Sequence, residues 1–159
     1  MRIRLVCIGK IKEKYLQLGI AEFVKRLALY AKLEIMELDE ERMPENPSSA
    51  DKARVLEREG ERILKQVKEG SELILLDVHG KNLSSEEMAE HFSQLALSGR
   101  SDITFVIGGA FGLSPNLQKA AHLRLSFSRM TFTHQMVRLL LVEQIYRAFK
   151  INRGEPYHW

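Results

Sequence analysis

Cysteine is nearly absent from this chain of 159 residues: Cys7 stands alone. One thiol excludes an internal disulfide and makes a reducing cytoplasm the expected compartment. Cys7 falls inside a run of strand-forming residues, where a small buried hydrophobe is expected rather than a nucleophile. A reactive thiol wants exposure and a positive neighbour. No apolar run is long enough to span a bilayer. The start, Met1-Arg-Ile-Arg-Leu-Val, has neither the apolar core nor the small-residue cleavage site of a signal peptide, so no membrane association is expected. His79, His91, His122, His134 and His158 show no metal-ligand spacing with one another or with Cys7, and no metal is expected. The G-x-S-x-G elbow and the G-x-x-x-x-G-K-[ST] phosphate loop are both missing.

What is present reads as one α/β domain over residues 1–159. Hydrophobic residues make up 45% and charged residues 28%, ordinary for a globular protein with a sizeable core. Periodicity predicts strands at 3–8, 33–38, 72–78, 103–107 and 123–127. Helices are predicted at 12–31, 50–68, 84–97, 114–122 and 134–150. Ser84 with Glu87 makes a capping box, and Ser114 followed by Pro115 a helix start. Strict alternation of strand and helix argues for a mostly parallel sheet with helices on both faces.

In such a sheet ligands bind at the carboxyl ends of the strands. Three loops fall there: Leu76–Gly80, with a turn expected at His79–Asn82; Gly108–Gly112; and Phe127–Thr133. The glycines at 108, 109 and 112 let backbone meet a ligand, supply a positive φ, or simply close a tight turn. Their G-G-x-x-G spacing, after the fourth strand, is not the dinucleotide fingerprint. The third loop is rich in small hydroxyls and apolar side chains, which suits a neutral ring system, although Met130 and Phe132 also fit plain core packing.

Charge is uneven. Residues 119–159 hold seven Lys or Arg against Glu143 and Glu155, and a smaller cluster is Lys10, Lys12 and Lys14. Such clusters suit either a polyanion partner or a solvated face. The last helix is apolar around most of its circumference. If the sheet covers one side of it, a second subunit is the natural cover for the other, and a homodimer is expected.

Several runs carry a resemblance. They are Phe105-Val-Ile-Gly-Gly-Ala-Phe-Gly-Leu, Leu125-Ser-Phe-Ser-Arg-Met-Thr-Phe-Thr-His-Gln-Met-Val-Arg, Leu141-Val-Glu-Gln-Ile-Tyr-Arg-Ala-Phe-Lys-Ile and Arg153-Gly-Glu-Pro-Tyr-His. With Gly9-Lys10-Ile-Lys12 and Pro44-Glu-Asn46 they span essentially the whole chain. They resemble the methyltransferase H family of bacterial 23S ribosomal RNA methyltransferases, within the SPOUT class. The resemblance implies a homodimer with a C-terminal trefoil knot. It implies transfer of a methyl group from S-adenosyl-L-methionine to N3 of a pseudouridine in 23S rRNA on the assembled ribosome. Carried over residue by residue, it implies cofactor contacts at Leu76, Gly108, Phe127, Ser128, Arg129, Met130, Thr131 and Phe132.

For the reaction, the tail residues Arg153, Tyr157 and His158 offer the chemistry needed. His158 could accept the N3 proton, Tyr157 could stack on the base, and Arg153 could hold a phosphate or developing negative charge. The tail is polar, so its deletion is expected to cost little stability, and a frayed end is the alternative reading. Two other functions stay open: a catalytically idle RNA-binding protein on the same fold, and a nucleotide-binding α/β enzyme.

Overall fold

Five parallel strands form one sheet in the order β2-β1-β4-β3-β5. They are β1 (Arg2–Ile8), β2 (Lys32–Leu38), β3 (Glu72–Asn82), β4 (Asp102–Ile107) and β5 (Leu123–Ser126), each followed by a helix. The helices are α1 (Lys14–Leu27), α2 (Ser49–Leu64), α3 (Ser85–Leu97), α4 (Pro115–Ala120) and α5 (His134–Asn152). The computed structural model describes residues 1–159. No helix in it is long and apolar enough to cross a membrane.

Alternation along each strand divides the core. Ile3, Leu5 and Cys7 with Phe105 and Ile107 face α1, α3 and α5, whereas Val6, Ile8, Leu75 and Val106 face α2 and α4. The central strands are apolar on both faces because helices cover both. Burial pushes the Cys7 thiol up to about 12, so the lone cysteine is inert packing.

Helix starts follow the sequence closely. Ser84 and Glu87 exchange the two bonds of a capping box, and the Ser114 hydroxyl accepts from the Leu117 amide with Pro115 in the first turn. The expected turn at His79–Asn82 is instead a bulge. β3 pairs with β5 at Leu76–Leu125, slips, and resumes at Lys81–Leu125 and Asn82–Ser126. Gly80 permits this: a Cβ there would lie 2.5 Å from the Arg124 carbonyl oxygen.

α5 corrects the reasoning about its surroundings. It lies between α1 and α3 on one face of the sheet, so two helices of its own chain cover much of its circumference. Val142 is fully buried in this core, and Leu139 packs against Gly19 of α1. Near the start of α5 is the least expected residue of the fold. Arg138, 1% exposed, donates to the carbonyls of Ile8 (3.1 Å) and Gly9 (2.6 Å) and to Glu37 (2.7 Å). It ties the start of α5 to the end of β1.

Candidate active site

The three loops singled out by their position meet in one cavity of about 330 Å³ at the carboxyl ends of β3, β4 and β5. Leu76, Gly108, Phe127, Ser128, Met130, Thr131 and Phe132 all line it. Arg129, between Ser128 and Met130, does not; its side chain is exposed. Met130 and Phe132 are exposed cavity residues, which removes the core-packing alternative for them.

The wall also includes residues for which no cofactor contact is expected from the resemblance. Asp77 and Val78 enter it from the bulge, Leu113 from the glycine loop, and His134 and Val137 from the first turn of α5. All five lie inside the loops and runs that the sequence singles out, and only the folded chain turns them toward the cavity.

The glycine loop is shaped by its own closure. A Cβ on Gly108 would lie 2.5 Å from the Gly112 carbonyl oxygen, and Gly112 sits at φ +89°. Gly108 is therefore required for the turn whether or not a ligand reaches its backbone. A valine there would distort the loop, so it cannot separate binding from folding. Across the cavity, the loop after β5 presents the Ser128 hydroxyl, which accepts from the Met130 amide at 3.0 Å. The amides of Thr131 and Phe132 donate to nothing within the chain. Apolar walls with a few hydroxyl and amide donors suit a neutral heterocycle carrying hydroxyls.

Asp77 is the charged member of the wall. Burial alone would raise its pKa, but the His79 amide and the Arg124 guanidinium outweigh it and hold the carboxyl below the usual range. Asp77 is thus an ionised, doubly held strut rather than a proton carrier. Glu59 of α2 is the opposite case. It lies 8% exposed behind the glycine loop, with Oε2 3.3 Å from where a Gly109 Cβ would stand. Burial pushes its pKa up, against the pull of Arg62. A raised folded-state pKa means that the native protein holds the proton more tightly, so stability falls as pH rises from the unfolded to the folded value. Glu59→Gln should therefore raise the unfolding midpoint at neutral pH and leave it unchanged well below pH 4.

The family model described as "Predicted SPOUT methyltransferase" matches residues 1–158. The chain belongs to the SPOUT methyltransferase family. Among its relatives is ribosomal RNA large subunit methyltransferase H of Pelotomaculum thermopropionicum, 58% identical over 157 residues, covering 99% of this chain and 98% of the relative. The protein of the same name in Clostridioides difficile is 56% identical over 158 residues, 99% of both chains. The fold also resembles that of Lpg2936 from Legionella pneumophila, solved with the cofactor SAM bound. The TM-score is 0.50 at 13% identity, over 93% of this chain and 66% of that one.

In this SPOUT methyltransferase the tail is docked, not frayed. Tyr157 meets Tyr146 edge to face at 4.9 Å, lies under the Arg147 guanidinium, and donates to Glu143 at 2.9 Å. Its pKa is raised, by burial first and by Glu143 second. His158 bridges Arg147 (Nδ1, 3.1 Å) and Glu86 (Nε2, 2.7 Å). Because Arg147 can only donate, Nδ1 accepts and the Nε2 proton faces Glu86. Arg153 lies over the Tyr30 ring at 4.6 Å. These contacts correct the expectation that the tail is dispensable for stability.

None of Arg153, Tyr157 and His158 lines the cavity of its own chain. The basic surplus of the C-terminal region is also largely spent internally. Arg124, Arg138, Arg147, Lys150 and Arg153 face Asp77, Glu37, Glu143 and Glu155.

Proposed function

We propose that this methyltransferase uses S-adenosyl-L-methionine to methylate N3 of a pseudouridine in 23S ribosomal RNA on the assembled ribosome, in the cytoplasm and as a homodimer. The observation that carries the reading is the cavity: seven of the eight cofactor positions implied by the family resemblance converge on it. Its volume lies within the roughly 300–1,000 Å³ of small-molecule sites. The names of the relatives, at more than half identity over the full length, support the ribosomal RNA substrate.

Bound there, the cofactor would supply a methyl group already activated on a sulfonium. The residues of the chain have the remaining tasks. Leu76, Phe127 and Phe132 would pack against the cofactor's flat heterocycle, and Ser128, Thr131 and the loop amides would bond its polar groups. N3 of pseudouridine carries a proton and is a poor nucleophile until that proton leaves. The tail supplies His158 to take it, Arg153 to steady the negative charge that develops, and Tyr157 to stack on the base. No cysteine nucleophile is needed for methylation at nitrogen, in keeping with the buried Cys7.

The tail lies off its own cavity, so in this reading it serves the cavity of the second subunit. Tyr15 and Leu18, 61% and 67% exposed on α1 beside α5, offer the apolar face for that contact. In the same reading the segment after β5 passes through a loop to make a trefoil knot, which brings the Phe127–Thr133 loop against the glycine loop.

Two measurements test this directly. S-adenosylmethionine at about a hundredfold excess over Kd should stabilise the protein by about 2.7 kcal/mol through mass action. No thermal shift at millimolar cofactor would rule the cavity out as its site. Light scattering at micromolar concentration should give twice the chain mass, and Leu18→Glu should give a monomer that still binds cofactor. A wild-type monomer would end the dimer reading.

A further inference from the structure

The proposed reaction leaves one sequence feature unused, the lysine cluster at Lys10, Lys12 and Lys14. All three are exposed and none has an acidic partner. The loop that carries them is fixed beside the cavity. β1 runs next to β4, with Cys7 level with Ile107 of the cavity wall. Arg138 grips the carbonyls of Ile8 and Gly9, and the Lys12 amide reaches Gln135, the neighbour of the wall residue His134.

Three more unpaired, exposed cations arrive from other segments. Arg129 sits between the wall residues Ser128 and Met130. Lys81 is paired in register with Leu125 of the wall. Lys52 lies 5.6 Å from the ring of Phe111 in the glycine loop. The acids nearby are fewer: Glu13 in the same loop, Glu40 against Gly9, the buried Glu59 behind Gly109, Glu37, which Arg138 holds while it accepts from the Ile11 amide, and Asp77, paired with Arg124. Elsewhere the cations are largely in pairs, as Arg2 and Lys68 are with Asp102, Arg58 and Arg62 with Glu41, and Arg100 with Glu72. Positive charge without a partner therefore gathers around the cavity mouth, although the sequence concentrates its basic residues in the C-terminal region.

We infer that Lys10, Lys12, Lys14, Lys52, Lys81 and Arg129 form a collar that holds the RNA phosphates flanking the target nucleotide. This rests on the ribosomal RNA reading above and adds the surface on which the RNA lies. Phosphates are fitted to it because exposed, flexible ammonium groups act as point charges and carry no base specificity. Each phosphate contact releases counterions and contributes about 0.9 to the salt dependence of binding on duplex RNA or DNA, about 0.7 on single strands.

The test is binding to ribosomes from a strain lacking this protein, at several salt concentrations, comparing wild type with Lys10→Gln/Lys12→Gln/Lys14→Gln. Lys25→Gln/Lys65→Gln, at the far ends of α1 and α2, is the control. The triple variant should bind about tenfold or more weakly near 0.1 M salt, with a slope shallower by about 2–3. Its thermal shift with S-adenosylmethionine should match wild type, which shows the fold and cavity intact. Equal affinity and slope in wild type and triple variant would overturn the collar while leaving the reaction in place. Wild type that binds no ribosome would overturn the ribosomal reading and the collar with it. A photoreactive residue at position 12 should cross-link to rRNA; cross-linking to a ribosomal protein instead would give these lysines an acidic protein partner and overturn the RNA assignment.

Discussion

Arg138→Leu should destabilise the protein by about 3–5 kcal/mol, the usual cost of removing one partner from a buried charged network. The guanidinium is 1% exposed and donates to two main-chain carbonyls and a carboxylate. Leucine fills part of the volume but leaves the Ile8 and Gly9 carbonyls without their donor. Glu37, 36% exposed, keeps the Ile11 amide at 2.9 Å and can turn to water, so its share of the loss is small. Arg138→Lys should recover only part of the loss, because one ammonium cannot reproduce a planar fork serving three acceptors. Denaturant unfolding with an unchanged m-value checks this. A loss under about 1 kcal/mol would mean that the end of β1 does not depend on α5. Because the tie lies beside the wall residues His134 and Val137, cofactor affinity should fall together with stability.

His158→Ala should lower turnover by about 10²–10⁴, the usual contribution of a positioned general base, with cofactor affinity unchanged. Raised pH should restore part of the rate by deprotonating N3 without help. The bond between His158 and Glu86 is at the surface, where Glu86 is 60% exposed and solvent screens the pair, so stability should change little. This point variant is cleaner than deletion of residues 153–159. Deletion would also strip Tyr157 from Tyr146 and Glu155 from Lys150 and Tyr30, so lost activity could reflect a loosened α5. In the docked tail both ring nitrogens of His158 are engaged, and catalysis requires it to exchange at least one of those partners for substrate. Full turnover in His158→Ala across neutral pH would remove it as the base and leave Tyr157, Arg153 or water.

The elements were legible because strand and helix periods are local. The β-branched and apolar run of β4, the capping box at Ser84 and the Ser114-Pro115 start each depend on neighbours a few residues away. The site was legible to the extent that position at a strand's carboxyl end implies function, which found all three loops. Two misses share a cause. The bulge at Asp77–Gly80 and the burial of Arg138 both depend on residues far away in sequence. The same holds for part of the charge. A count along the chain sees seven cations after residue 119 against Glu143 and Glu155, but not that Asp77 and Glu37, far away in sequence, lie against Arg124 and Arg138. The circumference of α5 suggested one missing cover, whereas α1 and α3 supply two.

The most direct test is methyl transfer from labelled S-adenosylmethionine to ribosomes purified from a strain lacking this protein, with the modified nucleotide mapped. Label should enter 23S rRNA at one nucleotide, a pseudouridine methylated at N3, and ribosomes from the parent strain should take up none. Label in another RNA, at another atom, or absent while the protein demonstrably binds cofactor would contradict the assignment.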